Sequence, residues 1–166
     1  MHSNNFSQSG PRITEKTLES LEKQLSCKLP DDYRSFLLEH NGGNPDKAFF
    51  HYKGDPILSS VDWLCTIDEN LAGPSPSSHY MTLAAVRAVH GTIVPDDMLI
   101  IGYVDQDDPL LLSIRGDRKG MVFVKKLGDM EPNSYEELAT HPEKEVYEVA
   151  ESLASFMEAL DYSPDE

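Results

Sequence analysis

Residues 98–104, MLIIGYV, form a seven-residue run with no charged side chain. The run is too short to span a bilayer, which takes about 20 apolar residues. Bounded by turn residues, it reads as a strand covered on both faces. Asp105-Gln106-Asp107-Asp108-Pro109 turns the chain back, and Leu110–Arg115 returns beside it. Gly116-Asp117-Arg118-Lys119-Gly120 makes a second turn, and Met121–Lys125 supplies the next strand. Strands joined this tightly are antiparallel. Upstream, Ala48–Lys53 and Val61–Ile67 are rich in aromatic and β-branched residues and add two strand candidates. A mostly antiparallel sheet of about five strands is expected, and it must bury its apolar faces against helices.

Helical patterns lie at both ends of the chain. Leu18, Leu21 and Leu25 recur at three- and four-residue spacing, and Thr14 is placed to cap that helix. Pro30 suits the first position of a second helix, with Asp31 and Asp32 in its favourable first turn. Tyr33, Phe36, Leu37 and His40 share a face there, and Asn41-Gly42-Gly43 offers residues that tolerate the left-handed cap conformation. After the turn-rich connector 70–79, a further helical pattern runs from Tyr80 to His90. Ser134 can cap a short turn through Leu138. Pro142 can start a final helix over Glu143–Leu160, with a seam of Val146, Val149, Ala150, Leu153, Phe156, Met157 and Leu160. At 100° per residue, Glu145, Glu148, Glu151 and Glu158 fall on the opposite side of that helix. The fold class expected is α+β: an N-terminal helical pair, the sheet, and a C-terminal amphipathic helix packed on it. One domain over residues 13–162 fits the length of 166 residues, between a disordered tail at 1–12 and an acidic tail at 163–166.

The net charge is −15, and it is unevenly placed. Residues 129–166 hold twelve carboxylates against Lys144 alone and account for −11 of it. Such a field repels nucleic-acid phosphates and anionic membrane and draws basic partners from beyond contact distance. Neither nucleic acid nor membrane is expected as a partner. The first residues, MHSNNFSQSGPR, lack the apolar core of an export signal, so a cytoplasmic location is expected. Cys27 and Cys65 are then expected as buried free thiols.

Reactive constellations are missing from the pattern. The six histidines form no H-E-x-x-H pair and no zinc-like spacing with a cysteine. His40 reads as a packing residue, and no G-x-S-x-G elbow occurs. Asp105-x-Asp107 opens like a calcium loop, but Leu110 stands where such a loop needs Gly. The second turn lacks the G-K-[ST] ending that cradles phosphate. Trp63 reads first as core. No enzyme, cofactor or metal is expected.

Glu22, Leu25, Leu29-Pro30, Tyr33, Phe36-Leu37 and Asn41-Gly42-Gly43 resemble the opening motif of the SUKH superfamily. Ile93, Pro95, Leu99-Ile100-Ile101-Gly102, Asp105 and Leu110–Leu112 are similar to that superfamily's middle strands, so the resemblance runs from about Ile13 to Leu160. Ser26 departs from the usual Gly, Asp107 and Asp108 replace the Gly and Asn common in the first turn, and Val124-Lys125-Lys126 replaces an aromatic and an acid. These domains are best known as bacterial immunity proteins against polymorphic toxins, and they include a fungal cell-wall regulator. The resemblance therefore implies a protein that binds and neutralises a cognate toxin domain without catalysis, or else a regulatory adaptor for several partners. A basic nuclease toxin suits the charge, because a nuclease cleft must hold phosphates. The partner-binding candidates are Glu145, Glu148, Glu151 and Glu158, with Asp105, Asp107 and Asp108 as a second patch.

Overall fold

The computed structural model describes residues 4–52, 56–67, 93–127 and 134–164. In chain order it holds β1 (Phe6–Ser7), α1 (Glu15–Leu25), α2 (Asp31–His40), β2 (Asn44–Pro45), β3 (Phe49–His51), β4 (Leu58–Leu64), β5 (Met98–Val104), β6 (Asp108–Ser113), β7 (Val122–Lys125), α3 (Ser134–Thr140), β8 (Val146–Ala150) and α4 (Leu153–Ala159). The helix expected over Tyr80–His90 lies outside the described residues.

The helical pair forms as its residues dictate. The Thr14 hydroxyl accepts the Thr17 N–H at the start of α1, and Leu18, Leu21 and Leu25 are buried along one face. Pro30 caps α2 just ahead of its first turn, and Asp31 and Asp32 occupy that turn. Ser26 ends α1 in the left-handed conformation (φ 56°), as does Asn41 for α2 (φ 42°). Gly42 follows at φ +75°, where a Cβ would lie 2.4 Å from the Cys65 carbonyl oxygen. No side chain fits there, so glycine is required.

Strands β3 to β8 make one antiparallel sheet in sequence order, six strands where about five were expected. Every residue of β5, β6 and β7 is buried, so the sheet is covered on both faces at its centre, as the uncharged run 98–104 leads one to expect. β4 begins three residues ahead of the expected Val61, because Leu58-Ser59-Ser60 pairs with β3. Gly102 sits at a register shift between β5 and β6, where a Cβ would meet the Trp63 carbonyl at 2.5 Å.

The sheet curls. The Lys126 ammonium lies 4.4 Å from the centre of the Tyr52 ring and 5.5 Å from that of Tyr147. Tyr52 follows β3 and Tyr147 belongs to β8, strands at opposite ends of the order. A flat sheet would hold those strands roughly 24 Å apart, at about 4.8 Å per step. α4 packs against β3, with Phe156 edge-on to Phe50 at 5.1 Å. The backbone of Asp161 then exchanges two 3.0 Å hydrogen bonds with Phe49 on β3.

The N-terminal segment makes specific contacts over its described residues. β1 pairs with β2, and Phe6 packs on Phe36 and His40 with ring centres 5.3 and 4.6 Å away. Asn4 adds a two-way clasp, Nδ2 donating to the Lys47 carbonyl and Oδ1 accepting its N–H. The long helix expected over Glu143–Leu160 is corrected. Residues 146–150 are a strand, and only Leu153–Ala159 is helical. The valines and Ala150 pack on the core from a strand as well as they would from a helix. The ladder with β7 then supplies hydrogen bonds that an isolated helical turn would not gain. Ser152 starts α4 with a reciprocal cap, its hydroxyl accepting the Ser155 N–H while the Ser155 hydroxyl accepts the Ser152 N–H.

Candidate protein-binding surface

The correction to the last helix redistributes the glutamates. Glu145 stands exposed in the turn before β8 in a left-handed conformation (φ 59°). Its carbonyl accepts the Lys126 N–H, and its carboxylate accepts the Tyr147 hydroxyl at 2.9 Å. That carboxylate pushes the Tyr147 hydroxyl above its ordinary pKa. Glu148 is half-buried within β8, opposite Phe123. Glu151 is exposed in the turn that follows, and Glu158 is exposed on α4. So Glu145, Glu148 and Glu151 line one sheet edge, with exposed Glu143 just ahead of them, while Glu158 belongs to a separate element.

The acidic turn between β5 and β6 divides by burial. Asp105 and Asp107 are exposed, and Asp105 Oδ1 accepts the Ser60 N–H at 3.0 Å. Asp108 is buried, its Oδ1 accepting the Leu127 N–H at 2.7 Å. It holds the chain leaving β7 and presents no surface. Asp62 joins the turn instead, accepting the Gln106 N–H. Burial raises the Asp62 pKa, that hydrogen bond opposes the rise, and the charges of Asp105 and Asp107 add to it. No sequence pattern links Asp62 to a turn forty residues later; pairing of β4 with β5 brings them together.

Lys125 was also hidden from the sequence. It is fully buried, and its Nζ donates to the carbonyls of Pro142 at 2.7 Å and Lys144 at 2.9 Å. Burial pushes its pKa down to about 8, against the opposing pull of Glu143 and Glu145. The amine thus pins the loop that carries these carboxylates into β8.

The remaining candidates for chemistry have structural partners. Glu22 is buried, accepts the Leu29 N–H at 2.7 Å and is gripped by Arg34 at 3.1–3.3 Å. Burial raises its pKa, but Arg34 and the Leu29 N–H outweigh that and leave it lowered. This pair occupies the hollow between α1 and α2 that Lys28, Asp31 and Lys119 also line. Cys65 is a buried free thiol pushed upward by burial, while Cys27 is a half-buried free one. His40 packs among aromatic rings, and Trp63 packs against Tyr103 with ring centres 4.8 Å apart and planes tilted by 35°. Among the described residues no group of His, Cys, Asp and Glu is placed to hold a metal ion, and no helix is long and apolar enough to cross a membrane.

Comparison with known proteins gives one family. The model of the SMI1 / KNR4 family (SUKH-1) matches residues 12–159. No curated protein matches the chain.

Proposed function

Because the chain belongs to the SMI1 / KNR4 family (SUKH-1), we propose that it is a protein-binding module without chemistry of its own, and specifically an immunity protein that neutralises a basic toxin domain. The observation that carries this reading is the ordered acidic edge, Glu143, Glu145, Glu148 and Glu151, on and beside β8. Carboxylates held on a strand and a pinned loop keep a fixed geometry, which steers a basic partner and then fits it. Asp105 and Asp107, with Asp62, offer a second acidic patch on the β5–β6 turn. A nuclease would suit this surface, since its substrate groove is basic. The carboxylates would then occupy part of the place meant for phosphates.

The test is a pull-down with the tagged chain from its host at low and high salt, followed by mass spectrometry. One basic toxin domain, kept at high salt and lost to the variant carrying Gln at positions 143, 145, 148 and 151, supports the reading. A changing set of housekeeping proteins supports the regulatory adaptor instead. Equal capture by the variant contradicts the site.

A further inference from the structure

The two edges of the sheet are treated differently. The β3 edge is closed by the chain itself, through the paired hydrogen bonds between Phe49 and Asp161. β8 pairs with β7 on one side and with no other strand among the described residues on its outer side. We propose that this outer edge accepts an extended, basic segment of the partner protein as a seventh strand. The proposal rests on the protein-binding reading above and names how that partner docks.

The ladder's phase shows what the edge offers. Lys126 donates its N–H to the Glu145 carbonyl, so in the alternation of an antiparallel pair Val124 and Tyr147 are hydrogen-bonded partners. Val146, between Glu145 and Tyr147, therefore turns its own N–H and C=O away from β7. Edges are ordinarily guarded by short length, charged side chains (Lys above all), Pro or a β-bulge. β8 is five residues, VYEVA, with neither Lys nor Pro; its one charge is Glu148 and its bulge lies at the Ala150 end, so Val146–Glu148 stay in regular register with no residue fully buried. Tyr147 is 45% exposed, enough ring surface to pack a side chain from an added strand.

Charge selects the occupant. Glu143, Glu145 and Glu151 are exposed around this strand and Glu148 lies within it. A second copy would bring the same carboxylates opposite one another, on chains of net charge −15 each. Like charges across a ladder are destabilising, whereas Lys or Arg on an incoming strand would meet Glu145 on the Tyr147 face and Glu148 on the other.

The test uses the full chain and two synthetic peptides alternating Lys and Thr, equal in charge, one N-methylated at alternate backbone nitrogens. The first peptide should shift the amide resonances of Val146 and its neighbours and slow exchange of the Val146 amide by about tenfold or more. The methylated peptide, unable to pair as a strand, should leave that amide unprotected. Equal effects of both peptides, or no protection at Val146 at millimolar peptide, overturn strand addition. Concentration-dependent protection of Val146 without any peptide would make the occupant a second copy and overturn the basic segment. None of these results depends on whether the partner is a toxin, which the pull-down decides separately.

Discussion

Asn41 pairs with the backbone of Ile67 as another strand would. Its Oδ1 accepts the Ile67 N–H at 2.8 Å and its Nδ2 donates to the Ile67 carbonyl at 3.0 Å. The same Nδ2 reaches the Pro11 carbonyl at 2.7 Å, and the backbone carbonyl of Asn41 accepts the Gly10 N–H. One buried cap residue thus joins the end of α2, the N-terminal segment and the chain leaving β4. Replacing it strands buried backbone groups, each costing about 1–3 kcal/mol. Asn41→Ala should lower unfolding free energy by at least about 2 kcal/mol, measured by urea denaturation. A change within about 0.5 kcal/mol, as at ordinary surface sites, would contradict this role.

Ser26 takes the left-handed conformation that glycine adopts freely and other residues adopt at a cost of about 1–2 kcal/mol. Ser26→Gly should therefore stabilise the protein, by about 1 kcal/mol at most once the added freedom of the unfolded chain is counted. Thermal unfolding should move upward; a lowered midpoint would show that the serine hydroxyl makes a contact of more value.

Glu22 gives an acid signature. Its folded pKa is lowered, so the unfolded chain takes up a proton first as pH falls. Stability from this residue is present above the ordinary Glu range and is lost as pH drops through the folded value. The stability difference between wild type and Glu22→Gln should be greatest near neutrality and shrink below about pH 4. A difference independent of pH from 3 to 7 would contradict the ion pair with Arg34.

Lys125 gives the opposite limb. Its folded pKa is about 8, while an unfolded lysine keeps its proton to about pH 10. Between those values unfolding takes up a proton, so rising pH favours the folded state at this residue. The stability of wild type relative to Lys125→Met should climb from pH 8 to pH 10 in chemical denaturation series. Tyr33, whose pKa burial raises, acts in both proteins and drops out of the comparison.

The sequence is most legible where local chemistry and tertiary packing agree. Thr14, the leucines of α1 and the Asn41-Gly42-Gly43 cap sit as their types require, and the uncharged run Met98–Val104 is the buried strand expected. Legibility fails at Val146–Ala150. Its valines satisfy helical and extended periods alike, and only the pairing with Val122–Lys125 decides. The Ser152–Ser155 cap was the available signal that the helix begins later. The candidate surface was legible as charge and hidden as geometry. Spacing cannot reveal that Asp108 turns inward to Leu127, that Asp62 joins the turn, or that Lys125 anchors the loop before β8.

The central claim is tested most directly by growth. A partner domain captured by the tagged chain is expressed alone, with the wild-type chain, and with the chain carrying Gln at positions 143, 145, 148 and 151. The account predicts that the domain alone stops growth, that the wild-type chain restores it, and that the variant restores it poorly. A captured domain that leaves growth unaffected, or rescue by the variant equal to wild type, would contradict the account.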